Sequence, residues 1–161
     1  MNYKLINNTV NPIVKSILRS PFRFLLPKDW AVLTYTGRKT HKKRSLPMRV
    51  AQYEGEFINV PGCFQHELPA WWHNFHKESM ANLLYRGRSM ECLATVIEGD
   101  ETAATPRIAA YLRQFLLARG ITDETTEEML NTSVTMAAKT HSIVVIRSRS
   151  SYSSSNALDR K

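Results

Sequence analysis

Residues 32–47, VLTYTGRKTHKKRSLP, decide how the rest of the chain is read. Val32-Leu33-Thr34-Tyr35-Thr36 is β-branched and aromatic, the composition of a strand. Gly37 stops it, and Arg38-Lys39-Thr40-His41-Lys42-Lys43-Arg44 follows before a second β-like run opens at Ser45. Two strands joined in this way place cations and hydroxyls at the rim of a sheet. That chemistry suits a phosphorylated or polyanionic ligand. A solvated basic hairpin loop is the plainer reading of the same residues, and composition leaves both open.

Outward from this hairpin the chain alternates strands and turns. The pattern predicts strands over Trp30–Thr36, Ser45–Gln52 and Phe57–Val60, with Glu54-Gly55 as a turn and Pro61-Gly62 as a stop. Pro47 cannot donate to a ladder, so the second strand reads as an edge or a bulge. A helix is predicted from Pro69 through PAWWHNFHKES, then strands over Asn82–Arg86 and Met90–Glu98. In the last of these Cys92, Ala94 and Val96 alternate with Leu93, Thr95 and Ile97, as in a barrel wall covered outside. Thr105-Pro106 opens a helix to Arg119 whose buried face is Ile108, Ala109, Leu112, Phe115 and Leu116. A short acidic helix over Asp123–Asn131 and a strand over His141–Arg147 complete the core. Upstream, NPIVKSILRS (residues 11–20) reads as an amphipathic helix, followed by Phe22-Arg23-Phe24-Leu25-Leu26. It either packs on the domain or meets a membrane surface. Residues 149–161 are serine-rich and read as a flexible tail. Six strands with few intervening helices, and no parallel βαβ alternation, predict an antiparallel barrel with helices outside: α+β, mainly β.

The chain's 161 residues suffice for one domain with a real core. No apolar run reaches the ~18 residues of a membrane span, and the first residues lack the pattern of a secretory signal. Its two cysteines, Cys63 and Cys92, do not make a disulfide framework, which fits a reducing cytoplasm. The net charge of +8 favours anionic partners. Nucleic acid is the least suited of these, because aromatic residues for base stacking are missing from RKTHKKR.

Catalytic signatures are absent: no GxSxG, no GxGxxG and no GxxxxGK[ST] occurs. His73 and His76 lie three apart, with Cys63 and His66 upstream, but nothing completes a zinc spacing, so no metal is expected. Trp71 and Trp72 are adjacent on a helix and point about 100° apart. One can enter the core while the other lines a cleft and stacks on a flat ring.

Three motifs stand in order: Thr36-Gly37-Arg38-Lys39-Thr40, Arg44-Ser45-Leu46-Pro47, and Pro69-Ala70-Trp71-Trp72-His73-Asn74. Together they resemble the deazaflavin-dependent nitroreductase family, whose motifs run roughly as TTGRKSG-x-R-x-x-P and HPAWYHNL. Lys139-Thr140 before Ile143-Val144-Val145-Ile146 resembles that family's last strand, and residues 11–26 its N-terminal helix in some branches. His41 stands where the family often carries glycine, and Pro61-Gly62-Cys63-Phe64 replaces a Ser-Lys-Gly-Gly-like loop.

The resemblance implies a split β-barrel related to flavin-mononucleotide oxidases, with the deazaflavin coenzyme F-420 in a groove and FMN as the alternative cofactor. It implies that Thr36, Gly37, Arg38, Lys39, Thr40, Arg44 and Ser45 hold the anionic tail. Pro47 and Met48 would lie beside the ring, and Pro61, Gly62, Cys63, Phe64, Trp71 and Trp72 would wall it. The activity implied is hydride transfer from the reduced deazaflavin or flavin to a quinone, nitro compound or other electron-poor molecule. A cofactor that brings the redox chemistry leaves the protein to bind and orient, which agrees with the missing triad. The other reading is a non-catalytic split-barrel binder of flavin, haem or lipid, associated with a membrane through residues 11–27. Flavin-binding relatives of this fold commonly pair, so the resemblance makes a homodimer possible and leaves dimer against monomer open. The organisation expected is a helical segment over 1–28, a cofactor domain over 29–148 and a tail over 149–161.

Overall fold

The computed structural model describes residues 16, 20, 27–62, 70–98, 102–118 and 124–149. The elements in chain order are β1 (Trp30–Thr36), β2 (Lys43–Arg49), β3 (Ala51–Tyr53), β4 (Glu56–Asn59), a 3-10 helix (Ala70–Phe75), β5 (Ser79–Tyr85), β6 (Arg88–Ile97), α1 (Ala104–Ala118), α2 (Glu124–Thr140) and β7 (Ile143–Ser148). The chain divides into two compact units, residues 1–50, 80–93 and 148–161 in the first and 51–79 and 94–147 in the second. The class is the expected α+β split barrel of antiparallel strands with helices.

In the first unit the strand order is β2-β1-β5-β6. β1 pairs antiparallel with β2, from Trp30 opposite Arg49 to Thr36 opposite Lys43. On its other side Ala31 faces Tyr85 and Tyr35 faces Ala81. β2 is the outermost strand, which is where Pro47 costs no ladder bond. Alternation along β1 sends Ala31, Leu33 and Tyr35 to the face that Met48 and Leu83 share, and all five are buried. Cys92 is also buried, and desolvation pushes its thiol up to about 12. The second strand begins at Lys43 rather than Ser45, because Lys43 and Arg44 continue the hairpin register. It ends at Arg49 instead of running to Gln52. Val50 donates its N–H to the Asp29 carbonyl at 2.8 Å, and an Arg49–Asp29 ion pair braces that corner. The break at Val50 makes seven strands among the described residues, where the sequence pattern predicted six.

In the second unit the order is β6-β7-β4-β3. Glu54 (φ 49°) and Gly55 (φ 80°) close the β3–β4 hairpin with both residues left-handed, the two-residue turn that matches strand twist. Ile143, Val144, Val145 and Ile146 of β7 are all 0% exposed. Ile143 and Val145 join Ile108 and Phe115 of α1 and Leu130 and Val134 of α2 in one apolar cluster. The predicted short helix over Asp123–Asn131 is a longer one, Glu124–Thr140. Asn131-Thr132-Ser133 are weak helix formers, but Leu130, Val134 and Ala137 recur at helical spacing and are buried. The hydroxyls of Thr132, Thr135 and Thr140 bond back to carbonyls one turn earlier.

Glu56 is the polar anchor of this unit. Its Oε2 accepts from Arg107 Nε at 2.8 Å and its Oε1 from Arg147 Nε at 2.7 Å, tying β4 to α1 and β7. The predicted N-terminal helix, the 22–26 segment and the serine-rich tail beyond Arg149 lie outside the described residues. Among the described residues no helix is long and apolar enough to cross a membrane.

Candidate functional site

In the first unit the β1–β2 connection is a framed turn. Gly37 N–H donates to the Lys42 carbonyl at 3.0 Å, and His41 N–H donates to the Gly37 carbonyl at 2.8 Å. Arg38, Lys39 and Thr40 form the bend. His41 then takes φ 53°, a left-handed conformation that favours glycine. Glycine takes this conformation freely, so the imidazole keeps the backbone shape at some strain. Gly37 is buried, and a Cβ there would lie 2.8 Å from Thr40 Oγ1. Every residue from Arg38 to Arg44 is exposed, so five cationic side chains fan out from a closed backbone frame. No carboxylate interrupts the run.

The hairpin register sorts the remaining candidates by face. Thr36, Thr34, Val32 and Trp30 share one face with Lys43, Ser45, Pro47 and Arg49. Asn82 and Leu84 of β5 lie on the same face, opposite Thr34 and Val32. The face grades from cations at the turn, through hydroxyls and an amide, to Pro47, Leu84 and Trp30. Thr34 Oγ1 and Ser45 Oγ are 3.0 Å apart, and Ser89 Oγ donates to Asn82 Oδ1 at 2.7 Å. Sequence reasoning missed Thr34, Asn82 and Ser89. The strand alternation carried Thr34, but the cross-strand partner was unknown without the register. Met48 faces the other way and is buried, so it backs the sheet from the core side. Tyr35 also lies there, opposite Arg44; burial raises its phenol above the usual value, and the Arg44 charge works against that.

The second unit holds the other candidates. Pro61 is buried, and Gly62 takes φ 79°, a backbone that a side chain would strain. Cys63 and Phe64, with His66, lie outside the described residues. The segment predicted as a helix from Pro69 is a 3-10 helix over Ala70–Phe75, so residues three apart are eclipsed. The two indoles part company: Trp71 packs edge-on to buried Phe75 at 6.2 Å, and Trp72 lies over His73 at 3.8 Å. Asn74 Nδ2 fixes the turn by donating to the Trp71 carbonyl at 2.6 Å. His73 Nδ1 and His76 Nε2 are 2.9 Å apart, a hydrogen bond between imidazoles. Among the described residues no group of three or more metal-binding side chains forms.

Residues 23–115 match the family model described as F420H(2)-dependent quinone reductase. No curated protein matches the sequence. Among solved structures, one described as a domain-swapped dimer is 16% identical with a TM-score of 0.44, covering 86% of this chain and 96% of its own. Another, described as an F420-H2 dependent reductase (FDR-A), is also 16% identical with a TM-score of 0.44, covering 76% of this chain and 96% of its own.

Proposed function

Because the chain belongs to the F420H(2)-dependent quinone reductase family, with F-420 as its cofactor, we propose that it reduces a quinone, nitro compound or other electron-poor small molecule by hydride transfer. The observation that carries this reading is the Gly37–Lys42 frame, which projects Arg38, Lys39, Lys42, Lys43 and Arg44 without an acid among them. The residues fit the cofactor's chemistry. An acidic tail needs guanidinium forks, ammonium groups and hydroxyls in close array. Arg38 and Arg44 supply the forks, Lys39 the ammonium, and Thr36, Thr40 and Ser45 the hydroxyls.

When bound, the reduced deazaflavin supplies the hydride. The chain's own part is to bind, orient and exclude water. Gly37 keeps the turn closed beneath the tail, and its missing Cβ leaves Thr40 Oγ1 in place. The sheet face beyond the turn offers polar groups first and then apolar ones, Pro47 among them, an order that suits a molecule with an acidic end and a flat ring. Pro61, Gly62, Cys63, Phe64, Trp71 and Trp72 are proposed to wall the ring.

Fluorescence titration with F-420, and with FMN as competitor, tests the assignment. Arg38→Ala combined with Lys39→Ala should weaken F-420 binding at least tenfold. Charge-assisted hydrogen bonds are worth about 1.5–3 kcal/mol each, less when exposed as these are. Unchanged affinity in that double variant would remove the turn from the site.

A further inference from the structure

Charge is divided unequally between the two units. The first holds 16 of the chain's 22 lysines and arginines and 3 of its 14 acids. Two of those acids already have cationic partners, Asp29 in Arg49 and Glu91 in Arg149. Five of the cations belong to the β1–β2 turn, where the cofactor's acidic tail is assigned. A second group gathers at the opposite end of the same strands.

The strand register locates it. Trp30, the first residue of β1, faces Arg49 of β2, and on the other flank of β1 Ala31 faces Tyr85. Continued by one residue, that register brings Arg86 level with Trp30. An indole thus stands between two guanidinium-bearing residues. Arg86 and Gly87 make the β5–β6 turn, both left-handed, with φ 49° and 78°. Two-residue turns of this kind favour Asn, Asp or Gly, so an arginine is kept in that conformation at a cost. Its guanidinium lies over the Tyr85 ring, 5.2 Å from the centroid. Lys28, Arg86 and Arg88 are exposed, and Trp30 and Tyr85 are half-buried. Trp30 and Leu84 pack on Val32, a small apolar patch beside the cations. Trp30 and Thr36 bound a seven-residue strand, so the two cationic ends stand about 20 Å apart. That is more than two Debye lengths of about 8 Å, and an anion at one end leaves the other free to meet its own partner.

We propose that this end of the first unit docks on an anionic lipid bilayer, with Lys28, Arg86 and Arg88 among the headgroups and Trp30 and Tyr85 at the interface. The mixture of residues decides the partner. Basic side chains are drawn to the negative potential of anionic lipid, each adding about fivefold to partition. Indole and phenol rings have an apolar body and a polar edge, and they settle at headgroup depth. A nucleic-acid duplex would engage the cations and leave the apolar patch with nothing to meet. Residues 1–28, which lead into this end, carry five cations and no acid, and Ile13, Val14, Ile17 and Leu18 recur in them at helical spacing.

Flotation of the full chain with vesicles tests the proposal. Phosphatidylcholine vesicles containing phosphatidylserine should bind it at least tenfold better than phosphatidylcholine alone, and rising salt should weaken that binding. Arg86→Asn combined with Arg88→Gln keeps a residue that accepts the left-handed turn. It should weaken partition at least tenfold and leave the denaturation midpoint and the F-420 affinity where they are. Trp30→Phe should weaken partition by less, and equally at low and high salt, since the ring's share is not electrostatic. Arg38→Ala/Lys39→Ala, at the far end, should change it less than twofold. Equal binding to charged and uncharged vesicles, equal losses from the two ends, or a DNA duplex bound as tightly as the charged vesicles would overturn the proposal. Failure of the wild type to bind F-420 would overturn the reductase reading and leave this one standing.

Discussion

Arg107 and Arg147 of the second unit sit on a carboxylate, while Arg38 and Arg44 of the β1–β2 turn in the first are exposed in a run that contains no acid. Arg107 has 13% of its side chain exposed and shares Glu56, also 13% exposed, with Arg147. Arg38 and Arg44 are exposed and neighbour Lys39, Lys42 and Lys43. Mutual repulsion in the turn is tolerated because water screens it. Where charge is matched by Glu56 it holds β4, α1 and β7 together; where it is gathered in an exposed run without an acid it can meet an anion brought from outside. Stability and binding are thus assigned to different cationic clusters.

The largest expected effect tests the matched cluster. Glu56→Gln removes the charge that Arg107 and Arg147 share, and breaking a buried pair from one side costs about 3–5 kcal/mol. Partial exposure of Arg147 puts the expectation at the lower end, about 3 kcal/mol, read by urea denaturation. A loss under about 0.5 kcal/mol, the size of an exposed pair, would erase the contrast between the two clusters. The Arg38→Ala/Lys39→Ala pair should do the reverse, leaving the denaturation midpoint where it is while F-420 binding weakens at least tenfold. Raising salt should weaken binding in the wild type more steeply than in that variant, since fewer screened charges remain.

The same opposition exists within the first unit, between its rim and its interior. Burial moves the Cys92 thiol from 9.0 up to about 12, so the folded state keeps it neutral while the unfolded chain ionises it near its ordinary value. Its contribution is whole below pH 9 and is lost as pH rises from there towards 12. Between pH 8 and pH 10 the wild type should therefore lose about 1 kcal/mol more stability than Cys92→Ala. Parallel pH dependence in the two proteins would show that the interior is open to water. At neutral pH the thiol should resist alkylation in the folded protein.

Much of this was legible in the sequence, and the misses share a cause. β1 was readable to the residue because its β-branched run ends at a glycine. The cationic turn was readable because charge needs no partner to be seen. Where the second strand ends was not, because Val50 leaves the ladder for the Asp29 carbonyl, a contact twenty-one residues away. α2 was cut short because the propensities of Asn131 to Ser133 were overruled by burial of Val134 and Ala137.

His41 offers the smallest and most discriminating measurement. Its left-handed φ of 53° costs a non-glycine residue about 1–2 kcal/mol, and glycine would relieve it. Glycine also loosens the unfolded chain, at a cost of about 0.5–1 kcal/mol. His41→Gly should therefore be neutral to slightly stabilising, by less than about 1 kcal/mol in denaturation. Its effect on F-420 affinity should stay within twofold, because the frame bonds run through the backbone and the tail is assigned to Arg38, Lys39 and Arg44. A tenfold loss would mean that the imidazole itself grips the anion. The strain would then be retained for binding, and His41 would count among the groups that hold the tail.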